Sequence, residues 1–236
     1  MLNIFLPKKT VTLDCFTNRA DVYEYSKIDY SSNFIPKWWK QVPSKLSNSF
    51  FPSPTIKTCA GFTSLYKEGF IIPMWSDLAI NVEEEGQTGY RWQYSDKTSE
   101  ASGHSQEQRG TYMPEQEYVH IKLVNPWLIK ADRLVKFLWV QPSWNIDDFS
   151  KYHIPPGVTE YRFQHGANIN LFVKRQKEES TVNINFGQPL AHIVPLADVK
   201  IKLKHHLVSD EEMKRINQLH MNLSFLNKYA TMRKAK

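Results

Sequence analysis

Glycine, cysteine and long apolar runs are all scarce in this chain, and each scarcity removes a class of protein. The nine glycines among 236 residues are scattered singly. They form neither the Gly-rich turn of a dinucleotide site nor a phosphate-cradling loop. The two cysteines, Cys15 and Cys59, are too few for a structural zinc site without clustered histidines, and their spacing does not demand a bridge. They are expected to be small buried side chains. No apolar run approaches the ~20 residues needed to span a bilayer, and the few apolar residues before Pro7-Lys8-Lys9 are too short for a secretory signal. A soluble protein without membrane contact is expected, in a cytoplasm-like compartment or in an assembly built there.

Catalytic patterns are equally scarce. None of the eight histidines has Asp or Glu two positions later, which removes the His-x-Asp/Glu start of an iron-binding facial triad. Gly103-His104-Ser105-Gln106-Glu107 lacks the second glycine of a nucleophile elbow. Glu83-Glu84-Glu85 and His205-His206 are neighbours on strands, so adjacent side chains point to opposite faces and cannot act together. No catalytic residue, metal ligand or cofactor is expected.

Aromatic residues are abundant instead: seven Trp, eleven Tyr and thirteen Phe. Together with alternating β-branched residues they favour pleated, half-buried surfaces. Val11, Leu13 and Cys15 alternate with Thr12 and Asp14 over a strand at 10–16. Strands are also expected at 70–75, 77–85, 90–94, 118–124, 168–174, 181–186, 190–195 and 199–203, with Gly86 and Gly89 turning 77–85 back into 90–94. The continuous apolar run 134–140 predicts a strand buried on both faces. Short helices fit 36–42, between Pro36 and Pro43, and 59–67, ending before Gly69. Residues 48–54 fit an irregular connection, and the polar stretch 95–115 predicts a mobile loop.

The clearest element closes the chain. Ser209 with Glu212 makes a capping box, and Asp210 and Glu211 lie at the positive end of the helix dipole. Met213, Ile216, His220, Leu223 and Leu226 recur at helical spacing, and Lys228, Arg233 and Lys234 follow towards the negative end. The expected fold is therefore mainly β, sandwich- or barrel-like and mostly antiparallel, with short helices and one C-terminal amphipathic α-helix. Residues 1–208 would form the β-rich domain and 209–236 the helix packed on it, as a single domain.

Charge is segregated along the chain. Basic and acidic residues number 21 each over 1–199, but 9 against 3 over 200–236. Lys200, Lys202 and Lys204 alternate with Val199, Ile201 and Leu203, which predicts one core face and one basic stripe. Such a stripe attracts nucleic acid or an acidic protein, and on an edge strand it also blocks unwanted pairing. Two adjacent tryptophans, Trp38 and Trp39 between Lys37 and Lys40, cannot both face one way on a helix, so one indole is expected at a surface or interface. A second candidate surface is a pocket of Trp75, Asp77 and Arg91 beneath 95–115.

Several blocks resemble an uncharacterised family of β-rich proteins encoded by marine tailed phages and bacteria. They are Asn125-Pro126-Trp127-Leu128-Ile129-Lys130, Phe137 to Pro142, and Gly187-Gln188-Pro189-Leu190-Ala191-His192-Ile193-Val194-Pro195. Ile35-Pro36-Lys37-Trp38-Trp39 and Lys57-Thr58-Cys59-Ala60-Gly61-Phe62 also resemble it, so the likeness covers most of residues 34–196. The chain departs from the pattern at Ala131-Asp132-Arg133, where the family has a Thr-Pro-x-Gly turn. The resemblance implies a phage origin and a β-rich fold. The expected function is that of a phage-encoded structural or assembly protein, non-catalytic, located in the virion or host cytoplasm. Its expected partners are other phage proteins or further copies of itself, with nucleic acid a further candidate through the basic face. The alternative is a small-molecule-binding or enzymatic β-barrel with 95–115 as a polar lid.

Overall fold

Alternating sequences need partners on both sides, and this chain supplies them with many short strands. The computed structural model describes residues 9–46, 53–146, 151–166 and 168–218. In chain order the elements are β1 (Lys9–Thr17), α1 (Ala20–Tyr25), β2 (Asp29–Tyr30), α2 (Lys37–Gln41), β3 (Lys45–Leu46), β4 (Ser53–Pro54) and α3 (Ala60–Leu65). Then follow β5 (Phe70–Pro73), β6 (Leu78–Val82), β7 (Tyr90–Tyr94), β8 (Ala101–Gly103), β9 (Tyr118–Leu123) and β10 (Leu128–Ala131). Next come β11 (Phe137–Val140), β12 (Tyr152–His153), β13 (Gly157–Thr159), β14 (Ile169–Lys174), β15 (Ser180–Ile184), β16 (Pro189–Pro195) and β17 (Val199–Leu207). A helix over 210–218, here α4, completes the described chain.

The strands pair as β10-β1-β17, β13-β11-β16-β5-β2, β12-β14-β9-β8, β15-β6-β7 and β3-β4. Every pairing is antiparallel except β1 with β17, which run parallel in unbroken register from Lys9↔Val199 to Thr17↔Leu207. The protein is mainly β with open sheets and no closed barrel among the described residues, so the sandwich-like reading holds and the barrel-like one does not. No described helix is long and apolar enough to cross a membrane.

The inward residues of these strands meet in one apolar cluster, which includes Val11, Leu13, Phe70, Ile80, Ile121, Leu171 and Ile193. β6 and β9 alternate strictly between core and part-exposed positions, as period-two spacing requires. The run 134–140 departs from its expected burial. Leu134 is 60% exposed, and β11 begins only at Phe137 and sends just Phe137 and Trp139 inward. Gly69 (φ +74°) lies between α3 and β5, and a Cβ there would fall 2.0 Å from the Ile193 carbonyl oxygen. Only glycine lets the two backbones approach so closely.

Residues 95–115 carry specific hydrogen bonds and a short strand. The Asp96 carboxylate accepts from the backbone N–H groups of Thr98 (2.7 Å) and Ser99 (2.6 Å), and β8 pairs with β9. Arg109 then donates to the carbonyls of His104 (3.0 Å) and Met113 (3.1 Å). The compositional reading missed this because the ordering is carried by side chains bonding to backbone, which leaves no periodic trace.

A second arginine anchors the same end of the molecule. Arg175, 2% exposed, donates from Nε to the Glu115 carbonyl (2.9 Å) and from Nη1 to those of Glu83 (3.1 Å) and Gly89 (3.0 Å). The Glu85 N–H bonds the Gln176 carbonyl and the Gly86 N–H that of Gln116. The β6–β7 turn, the 114–117 turn and the end of β14 are thus tied at one point.

At the other end α4 begins as expected. The Ser209 hydroxyl accepts from the Glu212 N–H (3.2 Å), and Asn18 Nδ2 donates to Asp210 (2.8 Å). Met213 and Ile216 are half-buried. The rest of the expected stripe, from His220 onward, lies outside the described residues, as does 48–52 of the expected 48–54 connection.

Candidate functional site

Two surfaces collect the residues that the sequence singles out. The first is an aromatic ledge. Pro36 is the N-cap of α2, and only five residues follow before the chain turns. Phe62, 3% exposed on α3, sits where both α2 indoles reach it. Trp39 stacks on it at 5.1 Å and 10°, and Trp38 meets it edge-on at 6.0 Å. Adjacent indoles do converge here, against expectation, because the surface they share is a ring from another helix rather than a flat layer. Trp144, from the 143–145 turn, packs on Phe62 at 5.2 Å and on Trp38 at 6.1 Å.

The two α2 indoles are tied through their N–H groups. Trp38 Nε1 donates to the Trp144 carbonyl (3.1 Å) and Trp39 Nε1 to that of Ile56 (3.4 Å). The Lys57 ammonium donates to the Trp39 and Lys40 carbonyls (3.1 and 2.8 Å) and lies 4.3 Å from the Trp39 ring centroid, a cation–π contact. Beneath Phe62, the Tyr66 hydroxyl donates to Asn145 Oδ1 (2.5 Å), and Asn145 Nδ2 donates to the Phe34 carbonyl (2.8 Å). Burial pushes the Tyr66 phenol well above its ordinary range. On this fixed base, Trp38 remains 39% and Trp144 42% exposed, with Lys37 and Lys40 in solvent beside them. Phe62, Tyr66 and Trp144 were not assigned to this site from sequence, since no local spacing links 38, 62 and 144.

The second surface is the outer face of β1 and β17. Lys200, Lys202 and Lys204 are exposed, while Val199, Ile201 and Leu203 pack on the core, as the alternation predicts. Their register partners on β1 are Thr10, Thr12 and Asp14. None of the three lysines forms an ion pair with a described residue, whereas Asp14 bonds His206 Nε2 (2.8 Å), and His206 stacks on Phe16 at 4.8 Å. The free edge of β17 is plugged. The Tyr30 hydroxyl donates to the Ile201 carbonyl and accepts from the Leu203 N–H, both at 3.3 Å, and His205 Nε2 donates to the Ile28 carbonyl (2.7 Å). An incoming strand would need to displace these groups.

The Trp75, Asp77 and Arg91 pocket does not assemble. Trp75 is 3% exposed in the core. Asp77 Oδ1 accepts from the Phe186 N–H (2.7 Å). It lines a shallow depression of about 230 Å³ with Tyr94 and Asn183, which neither Trp75 nor Arg91 lines. Arg91 is exposed in mid-β7, opposite Asn81. Trp75 and Asp77 lie in the connection between β5 and β6, whereas Arg91 is on β7. A cleft of about 760 Å³ lies elsewhere, between α4 and the strands, with Asn18, Arg19, Leu128, Met213 and Lys214 among its lining.

Comparison with models of known families, with curated proteins and with solved structures finds no match to this chain.

Proposed function

We propose that this chain is a phage-encoded structural or assembly protein that acts through contacts with other phage proteins or with further copies of itself. The observation that carries this reading is the Trp38–Trp144 ledge: two part-exposed indoles packed on a buried Phe62, with the Trp38 N–H bonded to the Trp144 carbonyl. Binding energy concentrates in such rigid aromatic anchors, because little side-chain freedom is left to lose on docking. Lys37 and Lys40 give the ledge a positive rim that favours an acidic partner surface. The resemblance of residues 34–196 to phage-encoded sequences supplies the setting. The lysine row on β17 adds a contact of different character, to an anionic partner.

The test combines assembly with substitution. The protein is expected in particles of its phage by mass spectrometry, or as an oligomer by sedimentation. Trp38→Ala should weaken that association by about 30-fold, the loss of one hot-spot residue, at a stability cost near 1 kcal/mol for a part-exposed ring. A purified protein that stays monomeric and is absent from particles overturns the proposal.

A further inference from the structure

The outer face of β17 differs from the ledge in every respect that matters for recognition. Lys200, Lys202 and Lys204 stand on alternate positions, about 6.6 Å apart along the strand, and their register neighbours are Thr10, Thr12 and Asp14. Lys130 is also exposed on β10 and is in register with Asp14. The acidic groups of the patch are engaged: Asp14 is bonded to His206, and Asp132 accepts from the Thr12 N–H at 3.0 Å. No lysine of the row is ion-paired with a described residue, so the row presents a net positive charge beside the Asp14 and Asp132 carboxylates, with no aliphatic side chain among Thr10, Thr12, Lys200, Lys202 and Lys204.

Composition decides between two kinds of anionic partner. Protein interfaces are built on an apolar centre and are poor in lysine, so an acidic protein would find no core here. Nucleic-acid interfaces are polar and strongly positive, and their affinity comes from Lys and hydroxyl contacts to phosphate. At the Asp14 end, the stacked Phe16–His206 pair, with His206 at 39% side-chain exposure, gives a ring surface on which a base can stack. We infer that the β1–β17 face binds the phosphate backbone of a single-stranded nucleic acid without sequence preference, through Lys200, Lys202 and Lys204. This contact is independent of the aromatic ledge, and either can fail without the other.

The experiment is fluorescence anisotropy with a labelled 20-nucleotide oligo(dT), on the whole chain. Three phosphate contacts give a log–log salt slope of about −2, so affinity should fall about 20-fold between 50 and 200 mM salt. Lys200→Gln/Lys202→Gln/Lys204→Gln should abolish that slope and weaken binding at 50 mM salt at least tenfold. The same charge change at the exposed Lys97, Lys174 and Lys177 should leave binding within twofold. Unchanged circular dichroism of both variants keeps the comparison valid, and should the triple variant misfold, Lys202→Gln alone should lower the slope by about one third. Binding that is flat in salt, equal loss in the two triple variants, or equally tight binding of polyglutamate overturns the inference. Trp38→Ala should leave oligonucleotide binding unchanged, which separates this result from that of the ledge.

Discussion

Replacing Arg175 by alanine is expected to cost the protein about 3 kcal/mol of stability. The guanidinium donates to three backbone carbonyls at 2.9–3.1 Å and is 2% exposed. Each carbonyl stranded in a buried position costs about 1–3 kcal/mol. Glu83 is exposed and Gly89 and Glu115 are part-exposed, so water reaches these carbonyls once the side chain is gone, and the lower figure applies to each. Removing a buried charge also recovers desolvation energy, which holds the total near the low end of the sum. For a chain of this length, about 3 kcal/mol corresponds to a fall in Tm of about 6–12 °C. Arg175→Lys keeps the charge but not the fork that serves three acceptors, and should fall between the two. Urea denaturation measures the difference directly, and hydrogen exchange should show the Glu85 and Gly86 amides losing protection first, because their bonds run to the segments that Arg175 ties. An alanine variant within 1 kcal/mol of the parent would refute the argument.

Two further expectations follow from buried titratable groups. Cys15 is fully buried, with burial and the neighbouring Asp14 pushing its thiol well above the ordinary range, whereas Cys59 is exposed and both are free. The prior that both are buried thus fails at Cys59, which precedes a surface helix. A thiol reagent should titrate one cysteine in the native protein and two in urea, and rapid modification of both before unfolding would contradict the structure. Stability should also fall on acidification below about pH 6.5. Burial pulls the pKa of His120, His192 and His205 downward, against opposing hydrogen bonds to Asn170 and to the carbonyls of Glu68 and Ile28. The unfolded chain therefore takes up protons first, and each histidine removes up to about 1.4 kcal/mol per pH unit until its folded value is passed. Urea midpoints at pH 7.5, 6 and 5 should decline in the parent and decline less in His192→Gln/His205→Gln; a flat profile in the parent would count against the assignment.

Much of the sheet framework was legible because its information is local. Val11, Leu13 and Cys15, or Ile201 and Leu203 against their lysines, declare a buried face by period alone, and Gly86 marks its own turn. Less was visible wherever two distant segments share one atom. Nothing in the sequence places Phe62 between Trp38 and Trp39, or sends Arg175 to Glu83 and Gly89, since these contacts are selected by packing rather than by spacing. Leu134 shows the converse error: an apolar run was taken for burial, although apolar residues regularly face solvent. The lysine row was found because a strand alternates, and the ledge was found only in half because a five-residue helix has no period long enough to read.

The parallel union of β1 with β17 has a consequence for biosynthesis. A ribosome adding about 5–20 residues per second needs roughly 10–40 s to pass from residue 9 to residue 207. For that interval the first strand of the chain waits beside the exit tunnel with one hydrogen-bonding flank unmet. Translation pauses late in the message, or a stop codon before Val199, would release chains in a form that holdase chaperones recognise, and the yield of native protein should depend on how quickly the last strand follows the first.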